Sequence, residues 1–314
     1  MSNIMSSVDA RTNLAGSNRL EMLLFSLGGS QKFGINVFKV REVIPAVELS
    51  EMPGANAHVK GIAHLRGTSV PVIDLSEAMG GTTQLNDSGL FIIVTEYNRN
   101  IQGFLVSSVD RIVNLNWGDV SQPPNGVGRN HYLTAVTKVD NQLVQVIDVE
   151  KIYAEISGEE AHVSEEMKQK WASINRDELT VLAVDDSMVA RKQIANALKE
   201  VGIKFHLATD GSEALKWLTD EVNKTELPLT HKVPVVLSDI EMPNMDGYTL
   251  TAEIRSNPDL KNIAVILHSS LSGVFNEAMV RKVGADNFIA KFHPDELVSA
   301  VQNEIDRVIS SLEC

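Results

Sequence analysis

The sequence predicts two domains of different class, an all-β domain over 18–157 and an α/β doubly wound domain over 179–314. Three observations predict this. At 314 residues the chain is long enough for two separate cores. To about Ile156 it consists of short Val-, Ile-, Leu- and Phe-rich runs parted by turn residues, the pattern of a barrel or sandwich. From Leu179 onward, apolar runs of strand length alternate with segments of helical period, the pattern of a parallel sheet covered on both faces.

Residues 1–17 form a polar, Ser-rich N-terminal segment in which a short helix is expected over Asp9 to Ala15. Strands are expected over Met22–Leu27, Phe33–Val40, Ser69–Leu75, Leu90–Thr95, Gln102–Val106 and Leu143–Val149. Gly28-Gly29, Gly80-Gly81, Tyr97 to Asn100 and Asp140-Asn141 supply turns. An internal repeat runs through these strands. Gly34, Val37, Val40 and Ile44 recur 69 residues on as Gly103, Val106, Val109 and Val113. Val70 to Leu75 recurs 74 residues on as Val144 to Val149. The shared order and offset indicate duplication.

Residues 158–178 are acidic and read as a charged, partly helical linker. Beyond it, strands are expected over Val181–Val184, Ile203–Leu207, Val233–Leu237, Ile263–Leu267 and Asn287–Ala290. Helices are expected over Met188–Lys199, from Ser212, between the third, fourth and fifth strands, and from Asp295. Asn223 to Lys232 is a polar connection with no assignable element.

Composition narrows the function. With 28 basic and 41 acidic residues the formal charge is −13, a poor match to nucleic acid, which needs a basic face. The single cysteine, Cys314, excludes an internal disulfide and thiolate zinc sites. No apolar stretch reaches the roughly 18 residues of a membrane span, and the N-terminal segment lacks the apolar core of a secretory signal, so a cytoplasmic protein is expected.

Doubly wound sheets bind ligands at the C-terminal ends of their strands. Those ends carry Asp185-Asp186, Asp239, His268-Ser269-Ser270 and Lys291. Two like charges about 4 Å apart repel by roughly 4 kcal/mol at an effective dielectric of 20. Three such carboxylates therefore require a proton or a hard cation, and oxygen ligands with room for water suit Mg²⁺. A carboxylate beside Mg²⁺ and a lysine is placed to attack a phosphoryl group.

Leu182 to Ser187 (LAVDDS), Leu237 to Gly247 (LSDIEMPNMDG) and Phe288 to Lys291 (FIAK) resemble the motifs of response-regulator receiver domains, whose fold is flavodoxin-like. The resemblance covers about 179–305 and implies the following roles. Asp239 is the phosphoacceptor. Asp186, Asp239 and the backbone carbonyl of Glu241 bind Mg²⁺, and Asp185 binds it through water. Ser269 and Lys291 contact the phosphoryl group, and Phe288 is the switch aromatic. The chain departs from the pattern in having Phe292 where receivers carry Pro, no hydroxyl on Phe288, and an extra acid at Glu241. A haloacid-dehalogenase-type phosphatase is disfavoured, because that family carries Asp-x-Asp on its first strand and this chain has Asp185-Asp186 there.

In the first half, Gly61 to Leu75 (GIAHLRGTSVPVIDL), with Phe33-Gly34-Ile35 and Val40 to Ile44, resembles the CheW family of chemotaxis coupling proteins over about 18–157. The family fold is a double barrel of two linked five-stranded units. The residues themselves form no catalytic constellation, so a non-enzymatic adaptor is expected. The resemblance implies two partners, the chemotaxis histidine kinase, as regulatory-domain contact and phosphohistidine donor, and the cytoplasmic tips of chemoreceptors. Receptor arrays on the inner face of the membrane are then the expected location. Arg66 and Glu42 are candidate interface charges. The joint expectation is an adaptor whose coupling is modulated by phosphorylation at Asp239; the alternative is a phosphate sink for the kinase.

Overall fold

The computed structural model describes all residues except 1–18, 82–88, 98–99, 122–131, 159–161, 173–178, 270–279, 292 and 313–314. The expected helix over Asp9 to Ala15 lies outside the described residues. The chain divides into two compact units, Arg19–Glu159 and a second beginning at Glu160.

The first unit opens with β1 (Arg19–Ser26) and β2 (Lys32–Asn36), a hairpin in which Leu24 faces Gly34. The single strand expected over Phe33 to Val40 is instead broken. The Asn36 side chain accepts from the Phe38 N–H and caps a 3₁₀ turn at Val37–Lys39, and β3 (Val40–Pro45) follows. Next come β4 (Val59–Leu65), β5 (Thr68–Asp74) and the short α1 (Leu75–Ala78). The remainder is β6 (Phe91–Tyr97), β7 (Asn100–Val106), β8 (Ser108–Asn116), β9 (Val120–Ser121), β10 (Leu133–Val139), β11 (Gln142–Ile147) and α2 (Val149–Ser157).

Two sheets result, ordered β8-β1-β2-β11-β10-β9 and β3-β6-β7-β5-β4. The repeat seen in the sequence is a repeat of register. Gly34 pairs with Val146 across parallel β2 and β11, and Gly103 pairs with Val72 across parallel β7 and β5. Asp74 caps α1 through the Glu77 N–H, and its counterpart Asp148 caps α2 through the Lys151 N–H. Each sheet takes strands from both copies, which interlocks them. Strand alternation then divides the apolar side chains. Met22 and Leu24 bury with Val144 and Val146 inside the first sheet, and Ile92 and Val94 with Val72 inside the second. Leu23, Phe25, Ile73, Ile93, Phe104 and Ile147 turn the other way into a core shared by the two sheets.

The second unit begins with α3 (Glu165–Ala172), then β12 (Thr180–Val184), α4 (Met188–Glu200), β13 (Lys204–Ala208) and α5 (Gly211–Val222). A 3₁₀ turn at Leu229–His231 occupies the connection that sequence left unassigned, with Leu229 and Thr230 buried. β14 (Val235–Asp239), α6 (Gly247–Ser256), β15 (Ala264–Ser269), β16 (Asn287–Ala290) and α7 (Pro294–Leu312) follow. The five strands are all parallel, in the order β13-β12-β14-β15-β16. Val181, Ala183, Val235, Leu237 and Ile266 pack toward α4 and α7, and Leu182, Val184, Val236 and Val265 toward α5 and α6. Burial on both faces explains the continuous apolar runs; each buried valine, leucine or isoleucine contributes about 1.5–3 kcal/mol.

Candidate functional site

Strand parity assembles the site. The positions of Val181 and Ala183, Val235 and Leu237, Ala264 and Ile266, and Ile289 all pack on the α4/α7 side of the sheet. The same alternation sends Asp239 and His268, at the ends of β14 and β15, and Asp185 and Lys291, one residue beyond β12 and β16, to that same side. Asp239 and His268 are register partners. Lys291 Nζ lies 2.8 Å from Asp185 Oδ2 and 2.9 Å from Asp239 Oδ2. Both carboxylates and the ammonium are buried, so this is a desolvated ion triad.

Backbone donors fix the remaining oxygens. Asp185 Oδ1 accepts from the Ser187 N–H at 2.8 Å, and Asp239 Oδ1 accepts from the Ile240 N–H at 2.8 Å. Ser187 caps α4 through the Ala190 N–H, and the Arg191 guanidinium donates to the Asp185 carbonyl. After Asp239 the chain turns through Asn244, in the left-handed region at φ 61°, and enters α6, capped by Asp246. Gly247 sits so close beneath this turn that a Cβ there would overlap the Asp239 carbonyl oxygen. Its N–H donates to the Ile240 carbonyl at 2.9 Å, which locks the loop below the site. The Lys291 N–H donates to the Ser269 carbonyl at 3.0 Å and aligns the other side.

Burial pushes the Asp239 carboxyl well above the ordinary aspartate range. Lys291 pulls it down, and the charges of Asp185, Asp186 and Glu241 push it up again. Asp186 and Glu241 are half-buried and act on Asp239 through their charge. Ser269 is buried at the end of β15, and Phe288 is half-buried and packs on the α5/α6 core. Phe292 lies outside the described residues. His268, one of the strand-end residues, stands beside the carboxylates. It is fully buried, and one ring nitrogen lies within 4.8 Å of carboxylate oxygens of both Asp185 and Asp239. The parity of β15, readable from Ala264 and Ile266, is the signal that could have placed it there. The oxygen donors of Asp185, Asp186 and Asp239, and a buried carboxyl whose ionisation its acidic neighbours oppose, fit a hard divalent cation.

In the first unit, Arg66 and Glu42 come together. Arg66 stands 84% exposed at the β4–β5 turn with φ 48°, and its Nη2 lies 2.9 Å from Glu42 Oε2 on β3. Among the described residues no helix is long and apolar enough to cross a membrane.

Residues 21–157 match the family of CheW-like domains, and residues 181–302 match the family of response regulator receiver domains. Chemotaxis protein CheV3 of Helicobacter pylori is 29% identical over 304 residues, spanning 92% of this chain and 96% of that protein. Chemotaxis protein CheV1 of the same organism is 26% identical over 328 residues, spanning 98% of this chain and 99% of that protein. Protein PilG of Pseudomonas aeruginosa is 35% identical over 130 residues, 41% of this chain and 89% of that protein.

Proposed function

We propose that this chain, which belongs through its two domains to the CheW-like and response regulator receiver families, is a chemotaxis adaptor whose coupling is set by phosphorylation of Asp239. The CheW-like domain joins chemoreceptor tips to the histidine kinase in the cytoplasm, and the receiver takes its phosphoryl group from that kinase. The observation that carries the reading is the buried Asp185–Lys291–Asp239 triad at the C-terminal edge of the parallel sheet. Full-length likeness to proteins named for chemotaxis supports the coupling role.

In the transfer, an oxygen of ionised Asp239 attacks the phosphorus of a phosphohistidine. The new P–O bond forms as the P–N bond breaks, and the imidazole leaves with the bonding pair. The Ile240 N–H holds Oδ1, which leaves Oδ2, on the Lys291 side, as the attacking atom. Lys291 offsets charge on the phosphoryl oxygens, and Ser269 follows one of them. Asp186, Asp239 and the Glu241 carbonyl would hold Mg²⁺ directly, and Asp185 through water. Bound Mg²⁺ supplies countercharge for the carboxylates and the transferred phosphoryl. Phe288 repacks in response and passes the change to the surface. Exposed Arg66 and its half-buried partner Glu42, an ion pair on the coupling domain, are offered as part of its partner surface.

The test is Mg²⁺-dependent labelling of the full chain by phosphorylated kinase. Wild type takes label and Asp239→Ala takes none; label persisting on Asp239→Ala would refute the assignment. Rapid loss of label with unchanged receptor–kinase coupling would favour the phosphate sink.

A further inference from the structure

The stretch between the two domains, which the sequence offers as a linker, carries a built contact. Val163, just ahead of α3, and Met167 and Trp171, at i and i+4 on the helix, form one apolar face. That face packs into the core beneath α4 and α7, where Val163 and Trp171 are each only 3% exposed. Its polar partners converge on two acids. Glu200, the last residue of α4, accepts from the Val163 N–H at 3.2 Å, lies 2.8 Å from the His162 ring and 3.1 Å from Lys168 Nζ. Asp295, in the first turn of α7, accepts from the Ser164 N–H at 2.8 Å. Ser164 in turn caps α3 through the Met167 N–H. A linker that only spaced two domains would need none of this.

The Asp295 anchor stands four residues after Lys291, the lysine that bridges Asp185 and Asp239. We infer that residues 162–172 form a latch on the receiver that phosphorylation at Asp239 releases through the Lys291–Asp295 segment. The inference rests on the phosphoacceptor reading above. Lys291 now divides its contacts between two carboxylates. A phosphoryl group on Asp239 adds charge that draws the ammonium away from Asp185, and the chain leading into α7 moves with it. The Ser164–Asp295 hydrogen bond is directional and does not survive a shift of an ångström or more. With that end unpinned, an eight-residue helix is too short to persist on its own. Phosphorylation of the receiver thus changes the docked state of the segment that leads into it from the coupling domain.

Hydrogen exchange of the full-length protein tests this, with Mg²⁺ alone or with Mg²⁺ and acetyl phosphate as donor, and with intact mass recording phosphoryl occupancy. Amides of 163–172 should exchange at least tenfold faster once the phosphoryl mass appears, and should stay slow in Asp239→Asn. Asp295→Ala should exchange fast from the start and lose its response, while α4 keeps its protection. Phosphoryl mass with unchanged exchange would overturn the latch and leave the phosphoacceptor reading intact; no phosphoryl mass on wild type would overturn both. A segment 163–172 equally slow in Asp295→Ala would remove the anchor and the latch with it.

Discussion

At the scale of single residues, the energetics centre on a carboxyl held in an unfavourable place. Asp239 is buried among acids, and its ionisation is opposed more strongly in the folded than in the unfolded chain. Between the ordinary aspartate value and the raised one, the folded state binds more protons, so stability falls as pH rises through that window. Asp239→Asn removes this slope while Asp185 continues to hold Lys291. The variant should therefore melt higher than wild type at neutral pH in chelator, and its melting temperature should vary less between acid and neutral pH. A lower melting temperature would show that the Lys291 pair outweighs the desolvation. A second titrating residue lies away from the site. His206 stacks on Trp217 with ring centroids 4.3 Å apart and 7° between planes, and burial pushes its imidazolium pKa below the ordinary histidine value. The stability it gives is present above that ordinary value and is lost as pH falls through the lowered one. Its ring proton resonance should titrate with a midpoint below 6.5, the unperturbed value, and a midpoint above it would contradict the stacked, desolvated environment.

Among elements, the two copies of the repeat are alike in register and differ in packing. A Cβ at Gly103 would lie 2.6 Å from Ile92 Cγ2, a stiff β-branched neighbour. A Cβ at Gly34 would strike Met22, an unbranched side chain that can swing aside. Gly103→Ala should thus cost about 1–3 kcal/mol in urea unfolding, and Gly34→Ala less; the reverse order would contradict the packing. The repeat was legible because a glycine at close approach, and an aspartate that ends a strand and caps a helix, each leave a residue-type signature. The break at Val37–Lys39 was not, since its cause is one Asn36 side chain that ends a strand between β-favouring residues. The five parallel strands were readable to within a residue or two because burial on both faces leaves uninterrupted apolar runs. The stretch holding α3 reads as a partly helical linker, and its packing against the core was hidden for the opposite reason. Its four charged residues outnumber Met167 and Trp171, the two side chains that pack inward, so composition concealed the packed face.

For the whole molecule, one chain joins a CheW-like domain to a receiver domain whose sheet edge gathers Asp185, Asp239 and Lys291. Most of the candidate site could be read from sequence because strand order and parity dictate which side chains meet at one sheet edge. The place of His268 and the bridging of Asp185 to Asp239 by Lys291 depend on side-chain reach across that edge, which spacing alone does not give. The proposed effect of Asp239 phosphorylation on coupling is read in the ATP turnover of the histidine kinase in receptor-containing membranes reconstituted with the full chain. Turnover should differ severalfold between phosphorylated and unphosphorylated wild type, with Asp239→Ala fixed at the unphosphorylated level. Equal turnover in all three, at confirmed phosphoryl occupancy of the wild type, would contradict it.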